Sequence, residues 1–238
     1  MDGDQLTNIL AIETAGKSRS VAIVTPAGIA AEMTVAGERS HSRNILPDIE
    51  TILKAAEIDY PDLTAIATSA GPGSFTGLRI GMACGKGLAR ALDIPFYPIP
   101  TLDGLAAQAA FSPYPVCAVS QARKNELYLA LYQPSFPAPP ERTSRYLAMA
   151  PEEVRELVCS PTLFVGMPGY EEYGLAAILG DCFIPADPRL IGPRGAAIGA
   201  CALEKFLKGE EAATVDAEPI YVKVSQAEEK LAKKVKGI

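Results

Sequence analysis

The sequence predicts an α/β protein of two lobes, each a mixed sheet flanked by helices. Three observations predict it. Short apolar runs of strand length alternate with amphipathic helical patterns. The first hundred residues read β-β-β-α-β-α-β, and a second α/β pattern restarts after Pro100-Thr101. The lobes are expected at 1–100 and 101–238, with the last segment of the second packing back on the first.

Each element follows from its residues. Ile9-Leu10-Ala11-Ile12-Glu13-Thr14 is a buried strand with a polar end. The runs 20–24 and 29–35 follow after short turns, giving an antiparallel meander. A helix is expected over 42–57, with Ile45, Leu46, Ile49, Ile52, Leu53 and Ala56 on one face and Pro47 early enough to kink it. Strand 63–69, a glycine turn, a helix to about Leu92 and strand 96–99 complete the first lobe. In the second, helix 102–110 leads to strands 115–119 and 127–132, a proline-rich loop over 134–140, and strand 143–148. Pro151 opens a helix over 152–159. Strand 162–165 and a long apolar helix over 196–207 follow, and the charged stretch 226–236 reads as a solvated or frayed helix. The proline loop and the break at Pro98-Ile99-Pro100 are the candidate lobe boundaries.

The most informative stretch is Gly71-Pro72-Gly73-Ser74-Phe75-Thr76-Gly77-Leu78-Arg79-Ile80-Gly81. It runs from a strand through a turn into a helix on which Gly77, Gly81, Gly85 and Ala89 recur every fourth residue. That spacing draws one stripe on the helix surface. Each glycine costs about 1 kcal/mol of helix propensity relative to alanine, so the stripe is expected to admit a close backbone. Leu78 and Met82 flank it, while Arg79, Lys86 and Arg90 face solvent. The expectation is that the close backbone belongs to another protein, and that Gly81→Leu would abolish association while sparing the fold.

Composition narrows the chemistry. The chain has 238 residues, 48% of them hydrophobic and 21% charged, which suits a globular protein with a sizeable core. A net charge of -6 argues against a general electrostatic grip on nucleic acid but leaves room for one local basic patch. No apolar run approaches the roughly 18 residues of a membrane span, and the polar start Met1-Asp2-Gly3-Asp4-Gln5 is unlike a secretory signal. The cytoplasm is the expected location. Cys84, Cys117, Cys159, Cys182 and Cys201 form no C-x-x-C pair and read as small buried apolar side chains in a reducing compartment.

Several catalytic schemes fail on residue counts. The chain around Gly85-Lys86 departs from a Walker loop at both ends, and Thr76 breaks a dinucleotide fingerprint begun at Gly71. What remains is a strand-turn-helix junction whose backbone N–H groups suit an anion, with Glu13 and Thr14 near a magnesium ion or water. The candidate nucleotide-binding set is Glu13, Thr14, Gly71, Gly73, Ser74 and Thr76; a tight turn feeding a close-packed helix is the competing reading. A metal site with two histidines one turn apart is impossible, since His41 is the only histidine. No G-x-S-x-G elbow accompanies it. Arg123, Lys124 and Glu126 read as a solvated hairpin edge, and Tyr221, Lys223 and Glu228 carry no catalytic spacing.

Residues 9–14, His41-Ser42 with Leu46-Pro47, the stretch 70–81, Asp93-Ile94-Pro95 and Thr101-Leu102 together resemble the TsaB (YeaZ) family, strongly over 8–110 and loosely beyond. The resemblance implies an actin-like (sugar kinase/Hsp70-like) fold of two lobes. It implies a non-catalytic scaffold that binds and activates TsaD, the subunit holding the metal, in threonylcarbamoyl transfer to an adenosine of tRNA (t6A modification). The pairing would use the helices 42–57 and 75–92 in a four-helix bundle, through His41, Ile45, Leu46, Ile49, Gly77, Leu78, Gly81, Met82, Gly85 and Ala89. The ATPase TsaE would be recruited to the pair, tRNA met only through the complex, and a homodimer formed through the same face when the partner is missing. No catalytic residue, metal ligand or required cofactor is implied in this chain, with ATP or ADP admitted at the partner interface. The alternatives are a nucleotide-dependent transferase and a glycoprotease-type peptidase. Glu13 in place of the usual Asp, Gln121 in place of an Asp, and Lys223 in place of an Arg all work against an intact nucleotide cleft.

Overall fold

The computed structural model describes residues 7–37, 41–122, 125–166, 170–187, 192–214 and 216–222. The stretch 226–236, and with it Arg123, Lys124, Lys223 and Glu228, lies outside the described residues. Strands β1 (Ile9–Glu13), β2 (Ser18–Thr25) and β3 (Gly28–Ala36) form the antiparallel meander. Helix α1 (His41–Ala55), strand β4 (Ala65–Ser69), helix α2 (Phe75–Leu92) and strand β5 (Phe96–Ile99) follow. The sheet order is β3-β2-β1-β4-β5, with β4 parallel to both β1 and β5.

β1 is buried along its whole length because helices cover both faces of this sheet. Leu10, Ile12 and Ile66 pack with Ile45, Ile49, Ile52, Leu53 and Met82 of α1 and α2. On the other face, Ile9, Ala11, Ala65 and Ala67 pack with Ile198, Cys201 and Ala202 of α5 (Gly195–Leu207). A chain that alternates core contacts on two sides reads as a continuous apolar run. α1 is also tied to the sheet by a buried ion pair between Arg19 of β2 and Asp48. Pro47 stands inside α1, without ending it.

The second sheet takes β6 (Val116–Gln121), β7 (Leu127–Ser135), β8 (Ala138–Arg142), β9 (Leu147–Met149), β10 (Thr162–Val165) and β11 (Phe183–Pro185). Its order is β11-β10-β6-β7-β8, with β9 also on β7. Helix α3 (Thr101–Ala107) packs Leu102, Leu105 and Ala106 on one face, and α4 (Leu175–Leu179) with a 3-10 turn covers the other. Both sheets mix parallel and antiparallel pairs and are flanked by helices.

Several expectations for the second lobe are corrected. The prolines over 134–140 form no boundary loop: β7 and β8 make a hairpin with Phe136-Pro137 at its turn. Proline is tolerated there because β8 lies at the sheet edge, where N–H donors are dispensable. Residues 143–148 yield only β9, and the segment after Pro151 is a 3-10 turn over Pro151–Glu156. α4 and β11 are too short to show a period. Cys159 is exposed, unlike the buried Cys117 and Cys201. Among the described residues no helix is long and apolar enough to cross a membrane.

The largest correction concerns the glycine stripe, which faces inward. A Cβ at Gly77 would run into the carbonyl oxygen of Thr14, one at Gly81 into the Thr14 hydroxyl, and one at Gly85 into the Thr68 methyl and the Phe96 ring. Ala89 is 5% exposed in the same core. The close neighbours therefore belong to this same chain: the Thr14 backbone just after β1 at Gly77, and side chains of Thr14, Thr68 and Phe96 at Gly81 and Gly85. The expected Gly81→Leu phenotype is overturned with it, since leucine there meets the fold and not a partner. Overpacking of this kind costs about 1–3 kcal/mol or more, so Gly81→Ala should lower the urea midpoint clearly. Gly87→Ala, on the same helix with nothing within 4 Å, should instead raise stability by up to about 1 kcal/mol. Equal effects of the two substitutions would contradict this packing.

Candidate functional site

Two places gather chemistry: the junction of β1 with the glycine turn, and the outward surface of α1 and α2. At the junction, Ser74 caps α2 by accepting the Gly77 N–H at 3.2 Å, and its own N–H donates to Ala15 O at 2.8 Å. The Thr14 hydroxyl donates to Gly77 O at 2.8 Å. Gly71 donates its N–H to the Thr101 hydroxyl and accepts the Thr101 N–H. Gly71 has φ +104, and a side chain there would also meet Ile220 O at 2.7 Å; one at Gly73 would meet Ala15. These two glycines thus serve a turn pressed between Ala15 and the segment ending at Val222.

The structure brings Glu13, Thr14, Gly71, Gly73 and Ser74 together, and the N–H donors of Gly71 and Ser74 are engaged inside the chain. Thr76 is exposed on the first turn of α2. Two cavities lie elsewhere. One, of about 480 Å³, is lined by Lys86, Arg90, Asp93, Phe96 and Thr214. The other, of about 170 Å³, is lined by Asp103, Arg142, Cys201 and Lys205. Among the described residues no group of three His, Cys, Asp or Glu side chains is placed to hold a metal ion.

Asp103 is a polar anchor that the sequence reading passed over. It accepts the hydroxyls of Tyr132 at 2.7 Å and Tyr146 at 2.8 Å, tying α3 to the second sheet. Burial pushes its carboxyl up, against the two tyrosine hydrogen bonds and Arg142, which pull it down. The available signal was one acid in the first turn of an otherwise apolar helix.

Glu13 is fully buried at the end of β1. Its Oε1 accepts the Ala15 N–H, while Oε2 has no hydrogen-bond partner. Burial pushes the carboxyl up to about 7, partly countered by hydrogen bonds from Ala15, Ser69 and Gly16. The folded chain therefore holds a proton that the unfolded chain releases above the ordinary value of 4.5. Stability from this group is complete below that value and is lost as pH rises through about 7. Glu13→Gln should remove this slope and gain on the wild type as pH rises from 4.5 to 8, by on the order of 3 kcal/mol. Urea unfolding across that range reads it directly, and parallel curves for the two proteins would refute it.

The expected interface residues divide sharply. Ile45, Ile49, Leu78, Met82, Gly77, Gly81, Gly85 and Ala89 are buried within the chain, so they are withdrawn as contact residues. The His41 side chain lies outside the described residues. Among the described side chains of the set, Leu46 alone is exposed, at 49%. The outward surface of the paired helices instead carries Leu46, Phe75 (46% exposed), the half-buried Ile80 and Cys84, and the exposed Ala83 and Gly87. Arg79 sits over the Phe75 ring at 3.9 Å. The stripe drew attention to the wrong side of α2, because spacing shows that small residues share a face and not which way it turns.

Comparison with known proteins places this geometry. The profile described as "TsaD: tRNA N6-adenosine threonylcarbamoyltransferase" matches residues 26–135. The tRNA threonylcarbamoyladenosine biosynthesis protein TsaB of Escherichia coli is 30% identical, over 94% of this chain and 97% of that protein. The protein of that name from Bacillus subtilis is 33% identical over 52% of this chain and 55% of its own length. That alignment spans only about half of each protein. A solved structure, YeaZ from Pseudomonas aeruginosa, superposes with a TM-score of 0.76 at 25% identity, over 90% of this chain and 99% of that one. A second Pseudomonas aeruginosa structure, described as similar to peptidase YEAZ, gives a TM-score of 0.78 at 24% identity over 91% and 100%, a likeness of fold.

Proposed function

This chain belongs to the TsaB (YeaZ) family and takes part in threonylcarbamoyladenosine biosynthesis; we propose that it does so as a non-catalytic subunit that binds and activates TsaD. The observation that carries the reading is the outward surface of α1 and α2. It leaves two large apolar side chains in solvent, Leu46 on α1 and Phe75 on α2, the latter on a helix that also exposes Ala83 and Gly87 and half-buries Ile80. Large apolar groups left in solvent favour a protein partner. Small residues between them let a partner helix approach closely.

The same helices are rigidly held. α2 is pressed on β1 through its glycines, and α1 is tied through Arg19 and Asp48. A preformed surface of this kind loses little conformational freedom on binding. The chemistry falls to TsaD, since one histidine gives this chain no two-histidine metal site. In this reading TsaE joins the pair, tRNA is met by the whole complex in the cytoplasm, and the chain needs no cofactor of its own. Without TsaD, two copies associate through the same surface.

The test mixes the protein with TsaD from the same genome and follows co-elution and tRNA modification. Leu46→Asp combined with Ala83→Arg should weaken association at least about tenfold, the effect of losing well-packed interface contacts. Its thermal unfolding should stay within a few degrees of wild type, because both positions are exposed. Unchanged co-elution with a soluble, folded variant would reject this surface.

A further inference from the structure

Strand β3 ends the first sheet, and among the described residues no strand pairs with its outer side. Its 9 residues contain no proline, lysine or arginine. Sheets ordinarily guard an edge of that length with such residues, because its unpaired N–H and C=O groups are a template for another strand.

The register fixes which backbone groups face outward. The Gly37 N–H donates to Lys17 O at 3.2 Å, and the β2–β3 pairing runs without a shift from Ser18↔Ala36 to Ile23↔Ala31. In an antiparallel ladder, residues bonded to one neighbour alternate with residues that face the other side. Val35, Met33 and Ala31 therefore bond to β2, as Gly37 does. Glu32, Thr34 and Ala36 aim their N–H and C=O groups away from the sheet. Before Ala31 the register shifts between Ile23 and Val24, and such a bulge breaks the ladder. The regular free edge is thus a set of three residues with Thr34 at its midpoint.

We propose that β3 pairs antiparallel with β3 of a second copy of this chain, about a two-fold axis at Thr34, joining the two sheets into one. Thr34 then lies opposite Thr34, and Glu32 of each copy opposite Ala36 of the other. Each of these pairs exchanges two hydrogen bonds, about six in all. Met33 and Val35, both half-buried, come opposite one another on the face where Met33 already packs with residues of α1. The contact uses the same patch on both copies, as a closed dimer requires.

The occupant is a second copy because the edge complements itself. Its one charge is spent inside the chain: Glu32 accepts the Ala196 N–H at 3.0 Å and pairs with Arg194, leaving its side chain 8% exposed. The edge therefore suits an uncharged strand of small and apolar residues, which is what β3 presents. An axis at Glu32 would set two carboxylates face to face, an unfavourable cross-strand pair. The axis at Thr34 avoids this and uses every regular outward group.

The test starts from Leu46→Asp plus Ala83→Arg, which blocks association through α1 and α2, and follows sedimentation and residue-resolved amide exchange across a dilution series. This variant should still dimerise with rising concentration. The amides of Glu32, Thr34 and Ala36 should slow at least about tenfold as it does, while those of Met33 and Val35 are slow throughout. Adding Thr34→Pro should leave a folded monomer, because the lost N–H faces away from β2 and proline is tolerated at such a position. Should that chain fail to fold, Thr34→Lys sets two lysines opposite each other and should weaken the dimer several-fold. Fast exchange at 32, 34 and 36 at every concentration would overturn the pairing. Slow exchange that survives dilution would overturn it too, by showing the edge covered within one chain. Protection that appears only when TsaD is added would give the edge to that protein and reject the second copy. A folded Thr34→Pro or Thr34→Lys chain that dimerises as before would also reject it.

Discussion

Everything distinctive here depends on how closely α2 lies on the end of β1. Gly77 and Gly81 leave room for the Thr14 carbonyl and hydroxyl, and Gly85 for the Thr68 methyl and the Phe96 ring. Three residues with low helix propensity are kept in one helix so that it can rest on the Thr14 backbone at Gly77 and on sheet side chains at Gly81 and Gly85. The Thr14 hydroxyl then reaches Gly77 O, and Ser74 both caps the helix and bonds to Ala15. Helix, turn and strand end become one unit.

That unit packs the residues of the candidate phosphate cradle against the chain itself. A phosphate site at a helix start needs free N–H groups and open space in front of them. Here Gly71 and Ser74 donate within the chain, Ala15 fills the space before Gly73, and Ile220 lies against Gly71. Glu13 has been drawn into the same unit, with one oxygen bonded and the other bare in a dry environment that favours the protonated form. A carboxyl in that state stores a pH dependence of folding in the strand end that supports α2.

The rigid inner packing also shapes the outer surface. With the glycines turned inward, α2 shows the solvent Phe75, Arg79, Ala83 and Gly87, and α1 shows it Leu46. The chain's last described residues come to rest against this surface at Phe75.

By itself the sequence determined the first lobe almost element by element, because each of its strands and helices has a strong period or a clear glycine or proline boundary. It also placed the chain beside TsaB through the residues 70–81, whose turn chemistry tolerates few substitutes. Weak-period segments were another matter. The β7–β8 hairpin, β9, α4 and β11 are short or proline-bearing, and only pairing with neighbouring strands or packing on the second sheet decides their state. Tertiary structure alone decided the direction of the glycine stripe. A gap that admits a neighbour looks identical in sequence whether the neighbour is a second protein or Thr14 of the same chain, and only the positions of β1 and β4 distinguish them. For the same reason Leu46 remained from the expected contact set, while Phe75, Ile80, Ala83 and Gly87 emerged only once the inward face of α2 was known.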